Sequence, residues 1–234
     1  MNILEEFGNI DIYLFDQLLK GRFLPGMRLL DAGCGKGRNL VYFFRNGFDV
    51  FAIDRSEASV EEVRRLAVPW YGDSRAEEQI RQEPVEKMSF ANDRFDAVIC
   101  NAVLHFAEDD RHFRQMASEL WRVLKPGGLL FIRLASSIGL EDRVVPLGGN
   151  RFLLPDGSER YLADEPMLTK LTEKLHGQLV EPLKTVNVSG QRCMTTWCLR
   201  KPHILFFDPI EGLEHDLTPP EHDATEQEQE KGER

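Results

Sequence analysis

Residues 29–39 read LLDAGCGKGRN and residues 48–54 read FDVFAID. An apolar run ending in Asp31, a loop with glycines at 33, 35 and 37 and a helical stretch directly after predict a strand–turn–helix whose backbone, rather than its side chains, meets a ligand. Glycine adopts positive φ without steric cost and has no Cβ, so alternate glycines give a tight turn with an open face. Asp54 lies 21 positions past Gly33, near the spacing at which a carboxylate at the tip of a second strand accepts hydrogen bonds from ribose hydroxyls. Loop and carboxylate together form both halves of a nucleoside grip.

The spacing also discriminates among nucleoside cofactors. A dinucleotide fingerprint places glycine at the first, third and sixth positions, the last for close helix packing around a pyrophosphate. Here the sixth position is Arg38, and the glycines fall first, third and fifth. Three further segments follow in order: the acidic strand end at Asp54, residues 86–106 (EKMSFANDRFDAVICNAVLHF), and residues 120–134 (LWRVLKPGGLLFIRL). On these four motifs the chain resembles the class I S-adenosylmethionine-dependent methyltransferases, including type 11 and type 25 methyltransferase domains, over roughly residues 25–135. GRN after the glycine loop and FDVFAIDRSEASV (48–60) are similar to the tellurite-resistance type and other small-molecule methyltransferases.

The resemblance implies a Rossmann-like α/β fold: a seven-stranded, mostly parallel sheet with helices on both faces and a C-terminal antiparallel β-hairpin. It implies S-adenosylmethionine as cofactor, S-adenosylhomocysteine as product and a small-molecule acceptor. By the same resemblance the backbone at Gly33, Gly35 and Gly37 cradles the cofactor, Asp31 is oriented toward its methionine end through solvent, Asp54 takes the ribose, and Asn101 stands at the mouth of the fourth strand. Adenine is expected along residues 83–86, with the Val85 N–H donating to the ring. Pro84 stands where the family usually has an aspartate, which leaves Glu83 as a substitute. His105 is the candidate for acid–base work, because loops after the fourth strand abut the transferred methyl and imidazole titrates near neutral pH; the alternative is that it fills the loop or hydrogen-bonds the backbone. Trp70 and Tyr71 are candidates to flank a ligand, or else pack.

Bulk properties agree with one enzyme-sized domain. The chain has 234 residues, 42% of them hydrophobic, enough for a sizeable core. No segment approaches a membrane-spanning apolar run, and the acidic start MNILEEFGNID lacks a signal peptide's basic residues. Cys34, Cys100, Cys193 and Cys198 are scattered, which fits free thiols, and the histidines have no metal spacing. The expectation is therefore a soluble, cytoplasmic protein without a bound metal. Residues 208–234 carry ten acidic and two basic side chains, so −8 of the net −10 falls there. With almost no apolar residue after Leu217, this stretch is expected to be a disordered acidic tail. The nearly neutral remainder lacks the clustered cations that a phosphate backbone demands, which argues against nucleic acid as substrate.

Periodicity places an N-terminal helix at 10–20 within a cap spanning 1–25, then a domain over 26–204. Strands are expected at 27–32, 48–53, 95–100 and 129–134, and helices at 37–45, 57–67 and from 109 to 124. The alternation argues for a parallel sheet. Residues 68–83 offer only a short strand at 80–82. A helix near 165–175 precedes strands at 183–188 and 192–200, joined by Ser189 and Gly190. Residues 136–162 follow the fifth strand, where open sheets bind ligands, and suit a lid or hairpin that selects substrate. Two other readings compete: an NAD(P)-dependent oxidoreductase, disfavoured by Arg38 and the terminal hairpin, and a catalytically silent binding module, against which the intact glycine loop and Asp54 argue.

Overall fold

A computed structural model describes residues 2–203; the acidic stretch 208–234 lies outside the described residues. Two short helices open the chain, α1 (Ile3–Phe7) and α2 (Ile12–Leu19). The first was not foreseen. The second begins where Asp11 accepts a hydrogen bond from the Tyr13 N–H at 2.9 Å, so the cap, rather than the apolar spacing from residue 10, sets its start. Then come β1 (Arg28–Ala32), α3 (Val41–Arg45), β2 (Asp49–Asp54), α4 (Glu57–Tyr71), α5 (Asp73–Gln79) and β3 (Ile80–Gln82). The expected helix from 37 is shorter, because 37–40 are spent on a turn in which the Leu40 N–H donates to the Gly37 carbonyl.

The second half supplies β4 (Phe95–Asn101), α6 (Asp110–Val123) and β5 (Leu124–Ser136). Asp109 caps α6 by accepting from the His112 N–H at 2.7 Å, and Phe113, Met116, Leu120 and Val123 bury its inner face, as their spacing predicts. A small antiparallel sheet follows, β6 (Val145–Gly148), β7 (Arg151–Leu153) and β8 (Glu159–Tyr161). The chain closes with α7 (Glu165–Lys174), β9 (Gln178–Leu179), β10 (Lys184–Val188) and β11 (Arg192–Arg200).

The main sheet has the order β10-β11-β5-β4-β1-β2-β3, seven strands along the path, with the two-residue β9 pairing off it to β11. The pairings from β3 through β5 are parallel, and β11 runs antiparallel to both β5 and β10. Central strands read as unbroken apolar runs because both faces are covered. Leu130, Ile132 and Leu134 of β5 and Val98 and Cys100 of β4 point into one core layer with α6 and α7. Leu129, Phe131, Ala97 and Ile99 point into the other, with α2, α3 and α4. Period-two alternation thus serves two cores at once. Trp197 of β11 is fully buried, and its Nε1–H donates to Thr172 Oγ1 of α7 at 3.0 Å, which satisfies the indole's polar atom.

The N-terminal helices belong to the same compact unit as the sheet. Phe7 stacks on Tyr42 with ring centroids 5.1 Å apart and meets Phe15 edge-on, so the cap is pinned on α3. Tyr71 is a packing residue: its hydroxyl donates to the Phe48 carbonyl at 2.7 Å and accepts from the Val50 N–H at 2.8 Å. Trp70 lies on the surface beneath the Arg45 guanidinium.

Candidate functional site

The turn after β1 is held from behind. The Gly33 and Cys34 N–H groups both donate to the Ile53 carbonyl, at 2.8 and 2.9 Å. The Gly35 N–H donates to Asp54 Oδ2 at 2.9 Å, while Asp54 Oδ1 accepts from the Ser56 N–H at 2.9 Å. One carboxylate therefore braces the glycine loop and the entry to α4 together. Gly33 has φ +79°, and a Cβ built on it would lie 2.4 Å from Val103 Cγ2, so packing as well as conformation demands glycine. Gly35 has φ +51°, yet a Cβ there would meet nothing within 4 Å. Its bare face opens onto a cavity.

That cavity has a volume of about 1090 Å³ and lies over the carboxyl ends of the strands, where β1 and β4 are neighbours whose connections leave to opposite sides of the sheet. Open α/β sheets bind ligands at such a switch point. Gly33, Gly35, Gly37, Asp54, Val85, Asn101 and His105 all line it, so the fold gathers seven of the eight residues singled out from sequence. Asp31 is the eighth and does not. It is 1% exposed, and its Oδ2 has no hydrogen-bond partner. Burial pushes its carboxyl up to about 7; the nearby Arg38 charge opposes that rise and the Asp54 charge adds to it.

Asn101 is 7% exposed, and neither its Oδ1 nor its Nδ2 has a partner within the protein. Buried amides are almost always satisfied, so an amide on a cavity wall with both ends unpaired is ready for a ligand. The adenine-side residues sort differently. Pro84, Val85 and Glu86 reach the wall. Glu83 does not, because it accepts from the Ser89 N–H at 2.7 Å and Oγ–H at 2.6 Å. Glu86 instead faces His112 Nε2 at 3.4 Å.

His105 sits in a single 3-10 turn, Leu104–Phe106, beyond β4. Its Nδ1 accepts from the Ala135 N–H at 3.1 Å, which places the proton of the neutral ring on Nε2. Burial, with the Arg160, Arg192 and Arg133 charges, pulls its pKa down to about 4. At neutral pH the imidazole is an uncharged hydrogen-bond donor.

Sequence reasoning missed an arginine pair on the same wall. Asp11 Oδ2 accepts from Arg38 Nη2 and Arg133 Nη1, each at 3.2 Å, and the Asp11 N–H donates to Asn39 Oδ1 at 3.0 Å. Arg133 also lies over the Tyr13 ring, 4.8 Å from its centroid. Asp11 lay unremarked inside the expected helix 10–20, and Arg133 lies in the quoted segment 120–134, which marked its strand but not the direction of this one side chain. Residues 136–162, foreseen as a lid or hairpin, form the small sheet and lend Leu154, Asp156, Ser158 and Arg160 to the cavity. Among the described residues no cluster of histidine, cysteine or carboxylates is arranged to hold a metal, and all four cysteines are buried and free.

Comparison with known proteins bears on this geometry. Residues 30–132 match a family model described as a methyltransferase domain. A ubiquinone biosynthesis O-methyltransferase from Chelativorans sp. is 30% identical over 159 residues, covering 62% of this chain and 60% of that protein. A malonyl-[acyl-carrier protein] O-methyltransferase from Enterobacter lignolyticus is 34% identical over 110 residues, covering 47% and 39%. The chain thus spans less than two thirds of the length of either relative. In fold, it is similar to a Burkholderia thailandensis 1,6-didemethyltoxoflavin-N1-methyltransferase solved with bound 1,6-didemethyltoxoflavin and S-adenosylhomocysteine, with a TM-score of 0.59, 22% identity and coverage of 81% of this chain and 76% of that one.

Proposed function

We propose that the chain, whose residues 30–132 match a methyltransferase domain model, is a class I S-adenosylmethionine-dependent methyltransferase that binds S-adenosylmethionine and transfers the methyl group to a small-molecule acceptor by in-line displacement, leaving S-adenosylhomocysteine. The observation that carries this reading is the single cavity whose wall combines the Asp54-braced glycine loop with the unpaired Asn101 amide. Both features fit the cofactor: the bare face of Gly35 leaves room for it, and Asn101 has two unspent polar atoms.

When bound, S-adenosylmethionine supplies a methyl on a sulfonium, activated toward a nucleophile held in line behind it. The protein's contribution is then positioning and exclusion of water, and positioning alone is worth about 7 to 11 kcal/mol at best. In this reading the glycine loop holds the cofactor by its backbone, Asp54 takes the ribose, the Val85 N–H meets the adenine ring and Asn101 serves the methionine end. Asp31 sits beneath the loop as a buried carboxyl that burial raises to about 7. His105 donates from Nε2 toward the acceptor; to accept a proton there it must exchange tautomers and give up the Ala135 hydrogen bond.

The acceptor half of the cavity is walled by Phe106, Leu154 and Met194, which suits an organic small molecule. Four buried free thiols suit a reducing compartment, and no helix among the described residues is long and apolar enough to cross a membrane; we place the protein in the cytoplasm. The test is incubation of the full chain with methyl-labelled S-adenosylmethionine and a deproteinised, nucleic-acid-free pool of cellular small molecules. Label should pass into that pool. Label found only in added RNA, DNA or protein, or nowhere, overturns the reading.

A further inference from the structure

The cavity end remote from the glycine loop carries more cations than anions. Arg160, at the centre of β8, holds its guanidinium 4.9 Å above the Phe106 ring, and its one hydrogen bond goes from Nη1 to the Glu159 carbonyl at 2.7 Å. No carboxylate among the described residues lies within ion-pair distance of it. Arg192, at the start of β11, has its nearest carboxylate in Asp156, 3.9 Å away. Asp156 gives its Oδ1 to the Ser158 N–H and Oγ–H and leaves its Oδ2 for Arg192. Arg38 and Arg133, on the cofactor side, share Asp11 instead. Between these cations and the β-strand ends the wall is apolar, formed by Phe106, Leu154, Val188 and Met194, and Phe106 is 47% exposed, unusual for so large an apolar ring.

A guanidinium is a planar fork that matches a carboxylate edge, and it gains most where an apolar wall keeps water away. Two such forks and one carboxylate leave a single net positive charge, which balances a monoanion and leaves a dianionic phosphate uncompensated. We propose that this end of the cavity selects acceptors that carry a carboxylate on an apolar, ring-sized body: Arg160 and Arg192 hold the carboxylate, and Phe106, Leu154 and Met194 hold the body. This deepens the methyltransferase reading and rests on it. The small sheet is then the element that sets specificity, since it supplies Arg160 through β8 and Leu154 and Asp156 through the β7–β8 turn.

The experiment uses the full chain saturated with S-adenosylhomocysteine and measures binding of benzoate, cinnamate and 4-hydroxybenzoate against their primary amides and phenyl phosphate. The acids should bind about tenfold or more tightly than the amides, the factor expected for charge-assisted hydrogen bonds. The double variant Arg160→Gln, Arg192→Gln should bind acids and amides alike while its affinity for S-adenosylhomocysteine stays unchanged. Arg192 is exposed and Arg160 is half-buried, so unfolding of the double variant is checked by its retained S-adenosylhomocysteine affinity; Asp156→Asn, which keeps the Oδ1 acceptor for Ser158, supplies the opposite sign and should tighten acid binding several-fold. Equal binding of acids and amides by the wild type, absence of acid binding, preference for phenyl phosphate, or acid preference surviving in the double variant overturns the proposal. Failure of S-adenosylhomocysteine itself to bind is a separate result, and overturns the cofactor reading beneath it.

Discussion

Replacing Asp31 with asparagine should stabilise the ligand-free protein at alkaline pH and do progressively less as pH falls. The carboxyl is 1% exposed with an unpaired Oδ2, and burial raises it from 3.8 to about 7. Between those values the folded chain holds a proton that the unfolded chain has released, so rising pH costs the native state about 1.4 kcal/mol per unit. Above pH 7 the loss levels off, at about 4 kcal/mol for this shift. The asparagine Nδ2 inherits a place with no partner, an offset of about 1 to 3 kcal/mol. The net gain at pH 8 is therefore about 1 to 3 kcal/mol. Urea unfolding at pH 5, 6, 7 and 8 measures it: the difference between variant and wild type should climb through pH 5 to 7 and flatten beyond. A difference that does not change with pH refutes the raised carboxyl.

His105 should show the mirror image. Its folded pKa is depressed from 6.5 to about 4, so the stability it contributes is full above 6.5 and drains away as pH falls toward 4; His105→Asn should gain on the wild type by up to about 3 kcal/mol across that window in urea unfolding, and a constant difference would contradict it. Asp54→Ala removes the brace to Gly35 and the expected ribose acceptor, and should weaken S-adenosylhomocysteine binding by about 1 to 3 kcal/mol; unchanged affinity sinks the ribose assignment. Gly33→Ala drives a Cβ into Val103 at a positive φ and should cost about 1 to 3 kcal/mol of thermal stability. Gly35→Ala meets no protein atom, and its larger effect should fall on cofactor affinity; the reverse ranking of the two glycines would mean that the open face is not a binding face.

What was legible in the sequence was what repeats or punctuates. The glycine loop, the carboxylate ending β2, the buried stripe of α6 and the Ser189–Gly190 hairpin each carry a local signature, and each stands where the reading placed it. The charged run after Gly72 hid α5, because that helix is held by tertiary partners: Arg75 and Gln79 reach Asp49 at 2.9 and 2.6 Å, and Arg75 lies 4.1 Å from the Tyr71 ring centroid. The cavity's arginines were equally invisible. Arg133, Arg160 and Arg192 come from three strands far apart in sequence, and nothing beside any one of them announces the others. His105 was found by position, but its protonation state depends on burial and on those same arginines, which only the fold brings together.

Calorimetric titration of the purified chain with S-adenosylhomocysteine, with NADH in parallel, decides most directly whether this cavity is what its residues suggest. Micromolar binding of S-adenosylhomocysteine with no heat from NADH is the expected result. Binding of NADH alone, or of neither, would contradict the cofactor on which every role given to the glycine loop, Asp54 and Asn101 depends.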